Sequence, residues 1–181
     1  YSSSGVPCFE AMQIYIQSKL MYDTSLNYNA LAYDFIDHYY GEAAGTFKEY
    51  FDFFRAYYEY LAETKQITGS IWQEMGKEEY WPTEVVEKLF DYLDKCLKDI
   101  EPLKETNPDR WQLLNDRIRR ERLTPVYLAF TLHMNELSKE KQAEYLADMK
   151  YYTKKYEILE SKESARDIDT LIETWEKQIG G

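Results

Sequence analysis

Seven apolar residues within one short run set the strongest limit on what this chain can become. Phe47, Tyr50, Phe51, Phe54, Tyr57, Tyr58 and Leu61 recur at spacings of three and four, which puts their side chains on one face of an α-helix. A stripe that broad and that aromatic gains most of its stability from being covered by other helices, because a lone helix is marginal in water. The rest of the chain repeats the same period. Phe9, Met12, Ile16 and Leu20 mark one face, and Leu31, Phe35, Ile36 and Tyr39 a second. Further faces are formed by Val86, Leu89, Phe90, Leu93, Leu97 and Ile100, by Trp111, Leu114 and Ile118, and by Leu146, Met149, Tyr152, Tyr156 and Leu159. A last helix, starting near Ser164, shows Ile168, Leu171, Ile172, Trp175 and Ile179. No strand-like alternation appears. The pattern predicts an all-α bundle of about six or seven helices, partly antiparallel, with one long aromatic helix.

Local chemistry marks the element ends. Asn27 is placed to cap the helix that follows it, Gly41 supplies a residue able to take positive φ where that helix stops, and Ser138 and Thr83 are further candidate caps. Pro108 after Asn107 suits a first helical position. Pro125, inside an otherwise helical run, removes one backbone hydrogen bond and predicts a kink or break.

A chain of 181 residues is the size of one domain, so residues 1–181 are read as a single helical domain. Net charge is −11, with 33 acidic against 22 basic residues, which argues against a nucleic-acid partner, since phosphate binding needs a basic footprint. The short cluster Arg117, Arg119, Arg120 and Arg122 is better read as ion pairing with neighbouring carboxylates. No apolar run is long enough for a membrane span. Cys8 and Cys96 lie far apart without metal-type spacing; Cys96 falls on an apolar face, and pairing between the two is left open. The chain shows no initiator Met and no signal peptide, so it is expected to be processed or to be part of something longer.

Motifs that carry chemistry are missing. Asp34 and His38 share a helix face, but two ligands do not make the usual three-ligand zinc site. His133 has no partner that spacing can name. No nucleophile elbow, phosphate-cradling loop or dinucleotide fingerprint is found. With 33 acidic residues, any chosen carboxylate pair would be arbitrary. The expectation is therefore no catalytic residue, no cofactor and no metal. One stretch breaks the helical period, from Gln66 to Pro82, and holds Trp72, Tyr80 and Trp81. Exposed rings there would offer apolar platforms for a glycan or another domain; the alternative is that they fold back and plug the end of the bundle.

The run KLMYDTSLNYNALAYDFIDHYYGEAAGTFKEY, Lys19 to Tyr50, resembles the C-terminal helical region of the uncharacterised secreted bacterial proteins of domain-of-unknown-function family 4838. The matching positions are Lys19, Leu20, Leu26, Ala30, Leu31, Phe35, Tyr39, Tyr40, Gly41, Ala43, Ala44 and Tyr50. Tyr22 stands where the family carries tryptophan, and Asn27 replaces an aspartate while keeping the capping chemistry. RIRRERLTPVYL, Arg117 to Leu128, gives a weaker second match. The resemblance implies a C-terminal fragment of a larger, secreted or periplasmic, glycoside-hydrolase-like protein of the alpha-glucuronidase kind. On that reading the catalytic TIM-type barrel carries the acids, and this domain packs on the barrel or on a second subunit as a homodimer. The chain itself would have no activity.

Overall fold

A computed structural model describes residues 8–64, 76–161 and 167–180. Among them there is helix and no strand, so the chain is all-α. The helices are α1 (Glu10–Tyr22), α2 (Tyr28–Tyr40), α3 (Ala44–Thr64), α4 (Thr83–Asp99), the single turn α5 (Leu103–Thr106), α6 (Pro108–His133), α7 (Lys139–Lys155) and α8 (Ile168–Gly180). Short 3₁₀ turns occur at Gly41–Ala43, Glu78–Tyr80 and Met134–Glu136. Ser164 and the first part of the aperiodic stretch lie outside the described residues.

The structure gathers the chain into two compact units. One unit comprises Cys8–Tyr58 and Leu89–Glu121. Its centre is aromatic. The Phe9 ring meets Phe47, Phe51 and Phe54 edge-on at 6.1, 5.3 and 5.6 Å, and Tyr40 stacks on Phe47 at 3.5 Å. The edge-on contacts suit the ring quadrupoles and add to the burial of area. Leu93, Cys96, Ile100, Leu114 and Ile118 are also fully or almost fully enclosed. Helices α1 and α2 form an antiparallel hairpin: Tyr15, in the middle of α1, donates from Oη to Asp34 Oδ2 at 2.7 Å, and its ring lies 5.4 Å from Phe35 in the middle of α2.

The other unit consists of the described residues of Glu59–Lys88 and Arg122–Gly181. Here α7 packs on α8, with Lys150 donating to Glu176 at 2.6 Å. Trp175 of α8 stacks on Phe130 at 4.7 Å. Leu123, Val126, Tyr145, Met149, Ile168 and Ile172 are buried in the same unit.

Several local expectations hold. Asn27 Oδ1 accepts the Ala30 N–H at 3.0 Å and Ser138 Oγ accepts the Lys141 N–H at 3.3 Å, and Pro108 is the first residue of α6. Gly41 ends α2 at φ +51° and ψ −114°, the conformation that the first central position of a type II′ turn reserves for glycine. Arg120 pairs with Glu10, and Arg122 with Glu144 and Asp148 at 3.4 and 3.1 Å.

Other expectations are corrected. Of the kink or break expected at Pro125, the break does not occur: helix α6 continues through it, one missing backbone bond being outweighed where Leu123, Val126 and Ala129 beside it are buried. The buried stripe of α2 is Ala32, Ile36 and Tyr40, while Leu31, Phe35 and Tyr39 are half-buried at its rim. Thr83 is the first helical residue of α4 rather than its cap: the Val85 and Val86 N–H groups go to the Pro82 carbonyl. Arg117 departs from ion pairing, donating to the Tyr39 carbonyl at 2.6 Å with its guanidinium 3.9 Å from the Tyr39 ring centre. Cys8 and Cys96 are not joined in a disulfide.

Candidate functional site

Of the aromatic stretch singled out in the sequence, the described part turns its two rings inward. Trp72 lies outside the described residues. Tyr80 is 8% exposed and Trp81 is 3% exposed, so neither offers an open ring face, and for these two the folded-back alternative describes the arrangement. The cause is local. The turn Glu78–Tyr80 closes through the Trp81 N–H, which donates to the Glu78 carbonyl at 3.0 Å. Trp81 then enters a core whose other rings and aliphatic side chains remove its large apolar surface from water.

What this turn positions is a histidine. His133 closes α6 with its side chain 3% exposed. Its Nε2 lies 2.6 Å from the Trp81 carbonyl oxygen; a carbonyl only accepts, so Nε2 carries the proton. The other ring nitrogen, Nδ1, is 3.3 Å from Thr83 Oγ1 and 3.5 Å from Glu136 Oε1. The Thr83 hydroxyl donates to Glu136 Oε2 at 2.5 Å. With that hydrogen committed, Thr83 turns a lone pair toward Nδ1. Glu78 brings a second carboxylate, and ligand atoms of Glu78, His133 and Glu136 all lie within 4.8 Å of one another. The Thr83 hydrogen bond, ahead of His133, holds the Glu136 carboxyl below its ordinary pKa. Sequence reading left His133 without a partner because Thr83 and Trp81 are 50 and 52 residues away; only the spacing from His133 to Glu136 was visible.

Asp34 and His38 come together without a third ligand: His38 Nδ1 bonds the Asp34 carbonyl oxygen at 2.8 Å, and its side chain is 81% exposed.

A second concavity, of about 180 Å³, lies in the other unit. The half-buried Trp111 forms one wall, with Lys98, Lys104 and Arg119 as cations and Glu101 and Asn115 as further polar groups. Lys104 Nζ sits 5.3 Å from the Trp111 ring centre.

The most enclosed acid of the same unit is Glu121. It accepts the Phe9 N–H at 3.0 Å and the Tyr40 hydroxyl at 3.1 Å. Burial raises its pKa against the opposing pull of those two bonds and of Arg120. Sealed among core residues, Glu121 holds the start of α1 in place.

Met21 and Tyr22 form a feature of a different kind. They are 87% and 95% exposed, and every residue from 21 to 30, the tip of the α1–α2 hairpin, lies at the surface. The chain matches no family model, no curated protein and no solved structure.

Proposed function

We propose that this chain is a non-catalytic helical accessory domain of a carbohydrate-active, secreted or periplasmic protein of the alpha-glucuronidase kind, and that it works by docking on the catalytic barrel of its parent. One observation carries the reading. The hairpin tip holds Met21, Tyr22, Leu26 and Tyr28 in water at 87%, 95%, 38% and 45% exposure, and it falls inside Lys19–Tyr50, the stretch that bears the family resemblance. Single exposed apolar residues are ordinary, but several along one short turn mark a contact surface. Covering a side chain such as Met21 contributes roughly 1.5–3 kcal/mol, so the tip can anchor a larger contact. The enclosure of Glu121 agrees with a supporting rather than a catalytic role.

The test is binding between this chain and the separately produced barrel of the parent protein, measured by calorimetry. Saturable binding is expected, and the double variant Met21→Glu, Tyr22→Ser should abolish it. Sedimentation of the chain alone addresses the competing occupant, a second copy: a dimer that the same variant dissociates would replace the barrel with a homodimer. A monomer with no affinity for the barrel would sink the reading.

The Trp111 groove favours a second reading, glycan recognition. An aromatic wall with cations, a carboxylate and an amide around it is the chemistry that holds a sugar ring, above all an acidic one. Titration with neutral and uronic-acid oligosaccharides, followed by tryptophan fluorescence, should give a response that Trp111→Ala removes. An unchanged response in that variant would take the groove out of consideration and leave Trp72 as the remaining aromatic candidate.

A further inference from the structure

We propose that Glu78, His133 and Glu136 form a binding site for one divalent transition-metal ion, with zinc as the best fit, at the C-terminal end of α6. The argument starts from lone pairs. His133 gives its Nε2 proton to the Trp81 carbonyl at 2.6 Å, and the only hydrogen of the Thr83 hydroxyl goes to Glu136 at 2.5 Å. In the neutral ring, Nδ1 then points a lone pair at acceptors alone: Thr83 Oγ1 at 3.3 Å and Glu136 Oε1 at 3.5 Å, with the Glu78 carboxylate in the same cluster. Acceptors turned toward one another repel unless a positive charge lies between them. That charge is either a second proton on His133 or a cation.

Three features favour the cation. The imidazole is held as metal-bound histidines are held, buried and with its remote N–H on a backbone carbonyl, which fixes the ring and leaves the other nitrogen free to coordinate. The donor set, one imidazole nitrogen with two carboxylates and a nearby hydroxyl, suits zinc and its neighbours in the first transition row, and Zn–N and Zn–O bonds of about 2.0–2.2 Å require ligand atoms closer than the present 4.8 Å limit. Both carboxylates are on exposed side chains and can close that gap by rotation, while His133 stays fixed. Finally, His133 is the last residue of the 26-residue α6, where the helix dipole presents negative potential and favours a positive charge.

A proton and a metal ion make different demands on Glu78. Protonated His133 is satisfied by Thr83, Glu136 and the Trp81 carbonyl, whereas a metal ion uses Glu78 as a ligand. The experiment is a Zn²⁺ titration of the full chain by calorimetry, with the histidine ring nitrogens followed by NMR; exposed His38 serves as the internal reference. The expected result is one ion per chain, a shift at His133 Nδ1 without one at His38, and affinity weakened at least about tenfold in both Glu78→Gln and Glu136→Gln. Glu79→Gln, whose side chain pairs with Lys77 at 3.7 Å, should bind like the unmodified chain. All three substitutions are at exposed positions, and an unchanged melting temperature without metal confirms that each variant is folded. Equal affinity in Glu78→Gln, or a His133 signal that responds to pH and ignores Zn²⁺, would overturn the site in favour of the proton.

Discussion

Two residues are under opposing local demands, and each makes a prediction. Glu121 is buried against the Phe9 N–H and Tyr40 hydroxyl, with Arg120 and Glu10 as its charged neighbours, and burial dominates: its pKa in the folded chain lies above the ordinary 4.5. A raised carboxyl pKa means that the folded state holds the proton more tightly than the unfolded state does. The group's contribution to stability is therefore complete below about pH 4.5 and is lost as pH rises through the raised value. Glu121→Gln keeps an acceptor and removes the charge. Its stability relative to the unmodified chain should rise as pH is raised from about 4.5 through the raised value, as read by urea denaturation at a series of pH values. A difference that stays flat with pH would show the carboxyl to be ionised at no cost. Gly41 is constrained by its backbone. A Cβ there would lie 2.6 Å from Arg110 Nη2, a flexible group that can move aside, but only by disturbing the bonds from Arg110 Nε to Glu42 at 2.8 and 2.9 Å. The positive φ cannot be relieved at all without re-routing the chain. Gly41→Ala should cost about 1–3 kcal/mol, and Arg110→Ala, which removes the steric partner, should not rescue it.

At the scale of elements, caps were readable and faces less so. Asn27 and Ser138 do what their side chains predict because capping is a contact within three residues, wholly contained in the local sequence. Asn27→Ala should accordingly destabilise the chain by about 1 kcal/mol, while Asn27→Asp should leave thermal stability almost unchanged. The α2 face shows where period fails. Leu31, Phe35 and Tyr39 have the same spacing as Ala32, Ile36 and Tyr40, so two adjacent stripes are both apolar and their spacing cannot say which one turns inward. Packing chose the stripe containing the small Ala32, which is fully buried. Pro125 shows a related limit: a local rule allowed a break, and with burial of the neighbouring side chains the helix continues. Thr83 was legible as a helix start, but its hydroxyl is used 53 residues away on Glu136, a contact that no local pattern encodes. The candidate metal cluster has the same character in part: His133 and Glu136 lie on a helix end and the 3₁₀ turn that follows it, but Glu78 comes from a 3₁₀ turn distant in sequence.

At the scale of the molecule, the all-α class was legible because one period runs through the whole chain. The surface that carries the docking proposal was not, since Tyr80 and Trp81 of the aromatic stretch turn inward, while Met21 and Tyr22 at the hairpin tip are the most exposed large apolar residues among those described. The tip makes a prediction that separates docking from folding. Met21 and Tyr22 contribute almost nothing to either core, so Met21→Glu with Tyr22→Ser should change stability by no more than about 0.5 kcal/mol while removing association. Loss of stability together with association would make those residues part of the fold. One further consequence belongs to the two thiols. Cys96 is fully enclosed with its sulfur 4.0 Å from the Ala43 carbonyl oxygen, and burial pushes its pKa well up, whereas Cys8 is only half-buried beside the Tyr50 hydroxyl at 3.8 Å. Thiolate is the species that reacts with alkylating reagents. Cys8 will therefore label first, and Cys96 will label only as often as the helices around it part, which makes the chain its own clock for the rate at which that core breathes.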